Sequence, residues 1–338
     1  MRIGPLRART VQRIAVVLAI TLVSAAMGGL TANLFDAGSV ADRIVTSALA
    51  GTCLSLLEIT LQGPGAALLW RLPMLAALAL RVALYLAIFL GLLWLTIEDR
   101  RIELALTGGN LVMLASLSLA FNAVFVLRRL LGPGTLAALL IGRYHRPRPE
   151  QRIVLFMDLI GSTQLAERLG DLAFHRFVNR VLFDITDPVL EAGGEIYRYV
   201  GDEVIVTWPI ARGLRDAACL TCVLAIAARL EQRAPDYQRQ FGATPRLRSA
   251  LHAGHLIIGE MGDFKREIVM LGDTMNTTAR IEDACRSFGQ DIIASAEVIH
   301  ALTLPAGITA ESLGVVELRG KAAALELFAV HRPEARTC

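Results

Sequence analysis

The sequence predicts two parts of different fold class. The first is an N-terminal α-helical membrane domain of four spans, and the second is a C-terminal α/β domain of the α+β, ferredoxin-like, palm type. One observation is composition, because 54% of the 338 residues are hydrophobic and only 6% are aromatic. The other is pattern, because the longest uncharged runs lie before residue 128, whereas strand-like and helix-like spacing alternate after residue 150.

The first 131 residues form the predicted membrane domain. Each span approaches or exceeds the roughly 20 apolar residues that cross a bilayer, and the spans are predicted at residues 14–35, 44–62, 74–97 and 104–127. A basic N-terminus and Arg128 after the last span put both ends on the cytoplasmic side. We therefore expect a multi-pass protein of the cytoplasmic membrane, with its N-terminus and C-terminal domain in the cytoplasm. A signal peptide is the competing interpretation of the first run.

Two ionisable residues fall inside this apolar region. Glu58 lies in the second predicted span and Arg81 in the third. Charged groups are costly in hydrocarbon and usually have a partner or a function there. We hypothesise that the two side chains pair with each other and thereby fix how these spans pack.

A linker is predicted at residues 132–150, where prolines and arginines replace the apolar runs. The second domain then covers residues 151–338. The net charge of the whole chain is only +3, which does not favour a nucleic-acid partner. The five cysteines are odd in number and scattered, so no disulfide framework is predicted.

The second domain is predicted to form a sheet whose elements follow the order βαββαβ, with further strands and with helices on one face. Gly201 and Asp202 form the turn of a hairpin, and Gly254 divides two of the later strands. The predicted elements are a strand at 153–157, a helix over 174–185, strands at 195–200 and 203–208, a helix at 214–233, strands at 247–252, 256–261 and 266–271, and a helix from near 274.

Two aspartates stand where this sheet would bring them together. Asp158 closes the first strand and Asp202 lies in the hairpin turn. Paired carboxylates suit Mg²⁺, which prefers oxygen ligands and completes its shell with water and substrate phosphates. Gly161, Ser162 and Thr163 then begin a helix, whose first N–H groups favour phosphate. Taken alone, Asp158 would be better explained as a helix cap and Asp202 as a turn residue.

A third element favours metal binding over a cap and a turn as the role of the two aspartates. Asn276 and Arg280 follow Gly272 near the start of a predicted helix, and their spacing of four puts them on one helix face. An amide and a guanidinium are suited to ribose and phosphate oxygens. Together with the two aspartates, this pair indicates chemistry on a nucleotide.

At this point the sequence resembles a known family. From residue 151 to about residue 331 it is similar to the catalytic domain of the class III adenylate and guanylate cyclases, in their membrane-bound bacterial form. The stretches that carry the resemblance are 156–163, 201–208, 252–254 and 272–280.

The resemblance implies a role for each candidate residue. Asp158 and Asp202 would bind two Mg²⁺ or Mn²⁺ ions, with the carbonyl oxygen of Leu159 as a further ligand. Asn276 would orient the ribose and Arg280 would stabilise the reacting phosphate. The implied reaction converts ATP to 3′,5′-cyclic AMP and pyrophosphate, as the ribose 3′-hydroxyl attacks the α-phosphorus.

The resemblance also implies a homodimer. The metal-binding pair of one copy would meet the Asn276 and Arg280 pair of the other, so that two sites form at the interface. Lys321 resembles a basic residue that contacts the triphosphate in some members of the family, and surface charge is its alternative explanation.

Two positions depart from the adenine-specific pattern. Where such members have a lysine and an aspartate, this chain has Arg198 and Val269. Arginine offers only donors and suits adenine N1 or guanine O6 equally, whereas valine accepts no hydrogen bond. ATP is the expected substrate because adenylate cyclases are the commoner bacterial members.

Three alternatives follow from this departure. The first is a guanylate cyclase that converts GTP to cyclic GMP. The second is a degenerate cyclase that serves as a sensing or dimerisation module, although the four candidate residues argue against it. The third, a diguanylate cyclase, would call for a different turn from the Gly201-Asp202-Glu203-Val204 found here.

Overall fold

The computed structural model describes residues 40–62, 74–96, 133–318 and 324–332, together with 14, 17, 18, 20–26, 29, 72 and 127. The chain divides into two compact units, Met1–Leu136 and Ala137–Cys338. The predicted boundaries, with a linker at 132–150 and a second domain at 151–338, remain predictions.

The described part of the first unit contains two long helices, α1 (Val40–Gln62) and α2 (Met74–Thr96). Arg81 Nη1 lies 3.5 Å from Glu58 Oε1, and both side chains are buried. The hydroxyl of Tyr85 donates a hydrogen bond of 2.9 Å to Glu58 Oε2. The hypothesis that Glu58 and Arg81 pair is therefore confirmed, and the pair joins α1 to α2.

The prediction of four membrane spans is wrong for the described part of the chain. No helix there combines the length and the apolar character needed to cross a bilayer. The second and third predicted spans contain Glu58 and Arg81, although ionisable groups are costly in hydrocarbon. Half of the predicted span 14–35, and all of the predicted span 104–127 except residue 127, lie outside the described residues. The expected location in the bacterial inner (cytoplasmic) membrane is wrong on the same finding, and a membrane partner is not shown.

The second unit alternates helices and strands. Its helices are α3 (Pro133–Leu140, which begins before the boundary), α4 (Ser162–Leu169), α5 (Asp171–Glu191), α6 (Ile210–Leu214), α7 (Ala218–Phe241), α8 (Asp273–Phe288) and α9 (Ala296–Ile299). Its strands are β1 (Arg148–Leu159), β2 (Glu195–Val200), β3 (Glu203–Pro209), β4 (Leu247–Met261), β5 (Glu267–Leu271), β6 (Ile292–Ser295), β7 (Thr309–Val316) and β8 (Leu325–His331). The predicted β2–β3 hairpin is confirmed.

The described strands form one eight-stranded sheet in the order β2-β3-β1-β4-β6-β8-β7, and β5 pairs with β4 outside this path. The central strand β1 is antiparallel to both β3 and β4. Strand β4 is parallel to β6, which makes the sheet mixed. This arrangement confirms the predicted palm-type α/β domain.

Helices cover both faces of the sheet, not one face as the sequence predicted. Alternate residues of β1 point to opposite sides. Leu155 joins a buried cluster with residues of α5 and α7, whereas Val154 and Phe156 join another with Ile281 and Cys285 of α8. Because β1 is buried on both sides, its sequence is continuously apolar and gives no alternation from which a second helical layer could be predicted.

Gly254 does not divide two strands, because β4 runs without a break from Leu247 to Met261. Its role is to allow close packing against the start of α8. A Cβ atom at this position would lie 2.4 Å from Thr274 Oγ1. That hydroxyl donates a hydrogen bond of 2.8 Å to the carbonyl oxygen of His255. The glycine thus lets α8, which carries Asn276 and Arg280, pack close to the centre of the sheet.

This packing generates a stability prediction. Gly254→Ala should lower the free energy of unfolding by about 1–3 kcal/mol, because the added methyl overlaps Thr274. Thr274→Ala should cost about 1 kcal/mol through its lost hydrogen bond. Urea denaturation should then show that Gly254→Ala costs clearly less in the Thr274→Ala background. Strictly additive losses would contradict the proposed contact.

Candidate active site

Asp158 and Asp202 are brought together by the pairing of β1 with β3. The strands are antiparallel and Met157 pairs with Val204. The C-terminal end of β1, which carries Asp158, therefore lies beside the turn that opens β3, which carries Asp202. The charge of Asp202 acts on Asp158, so the two carboxyl groups lie near each other. The sequence prediction that these positions are neighbours is correct in its geometry.

The two carboxyl groups repel each other when both are ionised. Burial raises the pKa of Asp158, and the charge of Asp202 and the hydrogen bond with it raise this pKa further. Asp202 Oδ2 is buried and has no hydrogen-bond partner within the described part of the chain. An unpaired buried oxygen of this kind is costly unless a donor or a cation satisfies it.

This donor set fits a divalent, oxygen-preferring cation. In the residues that the structure describes, no group of three or more His, Cys, Asp and Glu side chains is arranged to hold a metal. Mg²⁺ does not require such a group, since it commonly takes one or two carboxylates together with water and substrate phosphates. The orphaned oxygen of Asp202, placed beside Asp158, is a suitable first ligand, and the carbonyl of Leu159 follows Asp158 directly along the chain.

Two glutamates near the aspartates were missed by the sequence analysis. Burial and the charges of Glu282, Asp158 and Asp202 raise the pKa of Glu203 to about 7. Burial and the charge of Asp158 raise the pKa of Glu282. Glu203 directly follows Asp202, and Glu282 stands two residues after Arg280. Their proximity in sequence was the available signal, but only the fold shows that four carboxyl groups share one region.

The start of α4 lies just beyond β1. Gly161 precedes the helix with φ 73° and ψ 24°, a left-handed conformation that glycine adopts readily, and no side chain caps the helix. Gly161 and Thr163 are exposed and Ser162 is partly exposed. The first N–H groups of a helix have no partner within it. An anion beside Asp158 could therefore accept hydrogen bonds from this backbone.

Asn276 and Arg280 both lie in the N-terminal half of α8. Asn276 is exposed, Arg280 is partly exposed, and neither side chain forms a hydrogen bond or ion pair with a described residue. Glu282 lies about 200° around the helix from Arg280, at 100° per residue, and it is Glu282 on which the charge of Asp158 acts. The Asn276–Arg280 face thus points away from the aspartates of its own chain.

The two positions at which base recognition was predicted also lie near each other. Arg198 is on β2 and its Nη2 atom lies 2.6 Å from Glu267 Oε2 on β5. Val269, partly buried, follows Glu267 by two residues on the same strand. Lys321, the predicted triphosphate contact, lies outside the described residues.

Comparison with known proteins gives relatives that are adenylate cyclases. Over 221 residues the chain is 41% identical to adenylate cyclase 2 of Rhizobium meliloti (strain 1021), a match that covers 65% of this chain and 61% of that protein. It is 27% identical over 183 residues to an adenylate cyclase of Anabaena cylindrica, covering 52% of this chain and 36% of the relative. The chain thus spans about three fifths or less of the length of these relatives.

A solved structure supports the fold. A bacterial light-regulated adenylyl cyclase superposes with a TM-score of 0.58 and 22% sequence identity, and the match covers 67% of each chain. The sequence model of the family described as "Adenylate and Guanylate cyclase catalytic domain" matches residues 145–332, which is more than half of the chain. The chain therefore belongs to the adenylate and guanylate cyclase family.

Proposed function

We propose that this chain is an adenylate cyclase, which converts ATP to 3′,5′-cyclic AMP and pyrophosphate at the interface of a homodimer. The observation that carries the proposal is that Asp158 and Asp202 lie near each other, while a buried carboxylate oxygen of Asp202 has no hydrogen-bond partner among the described residues. Such a pair is stabilised by a cation and, through it, by a polyphosphate.

Asp158, Asp202 and the Leu159 carbonyl would hold two Mg²⁺ or Mn²⁺ ions. When bound, such ions lower the pKa of the attacking hydroxyl and neutralise the departing pyrophosphate. The contribution of the chain's own residues is to position the substrate. Their carboxylates fix where the triphosphate lies.

The remaining residues hold the substrate. Backbone N–H groups at Gly161, Ser162 and Thr163 would bind the triphosphate at the start of α4. Arg280 would donate hydrogen bonds to the α-phosphoryl oxygens as negative charge grows on them, a contribution of about 3 kcal/mol by analogy with other oxyanion sites. Asn276 would orient the ribose, and Lys321 would contact the triphosphate.

The dimer is supported by the orientation of α8. Glu282 approaches Asp158 of its own chain, so Asn276 and Arg280, on the other side of the helix, are directed away from it. A second copy arranged head to tail would bring its Asn276 and Arg280 to the aspartates of the first. Each dimer would then contain two composite sites.

ATP is preferred over GTP because the relatives with the matches given above are named adenylate cyclases. The full-length chain supplied with Mg²⁺ or Mn²⁺ should form cyclic AMP from ATP with a clear preference over GTP, as identified by chromatography of the product. Cyclic GMP as the main product would favour the guanylate cyclase. Absence of product from both nucleotides, with nucleotide binding unchanged in Asp202→Ala, would favour the sensing module.

Metal binding should be measurable without turnover. Mn²⁺ at a hundredfold excess over its dissociation constant should raise the free energy of unfolding by about 2.7 kcal/mol. In Asp202→Asn the increase should be largely lost, because half of the carboxylate pair is gone. Asp236→Asn is the matched control, since Asp236 pairs with Arg233 and Arg239 on α7, and it should keep the full increase. Equal increases in both variants would contradict the assigned ligands.

The composite site predicts complementation between inactive variants. Asp202→Ala and Arg280→Ala should each reduce turnover at least a hundredfold. Mixed in equal amounts and allowed to exchange subunits, they should recover about a quarter of wild-type activity, because half of the dimers are mixed and each mixed dimer has one intact site of two.

The matched control for this experiment is a mixture of Asp202→Ala with Asp158→Ala. Both substitutions damage the same half of the site, so no mixed dimer contains an intact one and activity should stay absent. Recovery in the control mixture, or no recovery in the first mixture once subunit exchange has been verified, would contradict a site shared between copies.

A further inference from the structure

Strand β2 contains a β-bulge just before the base-recognition position. Its pairing register with β3 shifts between Ile196 and Arg198, so Tyr197 is the extra residue. A bulge redirects the side chains that follow it, and bulges are frequent beside active sites. Here the consequence is that two consecutive side chains, Tyr197 and Arg198, both reach β5.

Both contacts are specific. The N–H of Met270 donates a hydrogen bond of 3.0 Å to the hydroxyl of Tyr197. Arg198 Nη2 donates one of 2.6 Å to Glu267 Oε2. The guanidinium carbon of Arg198 also lies 5.4 Å from the centre of the Tyr197 ring, within cation–π range. Arg198 is therefore held in position from two sides.

The partner carboxylate remains accessible to a ligand. The side chains of Arg198 and Glu267 are 42% and 39% exposed to solvent, respectively, so a purine could reach both. A hydrogen bond from Lys265 and its positive charge lower the pKa of Glu267, and the charge of Arg198 acts in the same direction. Glu267 is consequently ionised at neutral pH and can only accept hydrogen bonds.

The chemistry of adenine requires one donor and one acceptor from the protein. Adenine N1 accepts a hydrogen bond, and the exocyclic amino group on C6 donates one. Arg198 supplies a donor, but Val269 supplies no acceptor. Glu267 stands two residues before Val269, and residues two apart on a strand point to the same face. Glu267 thus presents a carboxylate on the same face of β5 as Val269, two residues away from it along the strand.

We propose that Glu267 is a specificity-determining residue, which supplies the acceptor that Val269 lacks and binds the purine base together with Arg198. The inference rests on the proposed function, because it concerns the base of the same nucleotide. In this arrangement the β2 bulge and Tyr197 are positioning elements: they direct Arg198 toward β5 without contacting the base. The competing explanation is that the ion pair only fastens β5 to β2, which would affect stability but not the choice of nucleotide.

Steady-state kinetics of the full-length chain with ATP and GTP test the proposal. Glu267→Ala should raise KM for ATP about tenfold, the effect of a lost hydrogen bond to a charged group. It should leave kcat within about threefold and reduce the preference for ATP over GTP about tenfold. Adding Val269→Asp should restore most of that preference, because it returns a carboxylate to the same face of β5.

Glu260→Ala is the matched control. Glu260 lies on the β4 side of the same hairpin, where it contacts His145 and Arg266 instead of Arg198, and its loss should leave KM and nucleotide preference unchanged. The inference is overturned if Glu267→Ala keeps the wild-type KM and preference, if Glu260→Ala matches its loss, or if a folded double variant regains no preference. A wild-type chain without cyclase activity would contradict the proposed function itself, which is a different outcome.

Discussion

The repulsion between Asp158 and Asp202 is the constraint on which the account of this protein depends. The fold places two carboxyl groups side by side, partly removes them from water and adds Glu203 and Glu282 nearby. Because the pKa of Asp158 is raised in the folded chain, its ionisation favours unfolding, and this destabilisation grows as the pH rises through the carboxylate range. A cation bound there would reverse that effect and would link stability to substrate binding through one site.

The sheet explains why this costly arrangement persists. Strand β1 is buried on both faces and paired on both edges, so the backbone that carries Asp158 has little freedom to move away from Asp202. Helix α8 packs on one of these faces, closely enough that only glycine fits at position 254. The same rigid centre therefore positions the aspartates on one side of α8 and presents Asn276 and Arg280 on the other.

Local patterns in the sequence predicted much of this domain. The alternation of apolar residues and the Gly201–Asp202 turn predicted the β2–β3 hairpin, and with it the meeting of Asp158 and Asp202. Features that depend on long-range packing were not predictable in this way. Gly254 was interpreted as a strand break because its neighbour Thr274 is distant in sequence, and the pairing of Arg198 with Glu267 depends on a bulge that has no local signature. The membrane spans were predicted from apolar runs in the sequence, and no described helix combines the length and the apolar character that a span requires.

The most direct measurement is a crystal structure of the full-length chain with Mn²⁺ and an ATP analogue that cannot cyclise, with the ions located by anomalous scattering. We predict anomalous peaks between Asp158 and Asp202, with the α-phosphate bound beside them and beside Arg280 of a second copy of the chain. Manganese bound elsewhere, or a nucleotide held by the aspartates and Arg280 of one and the same copy, would contradict it.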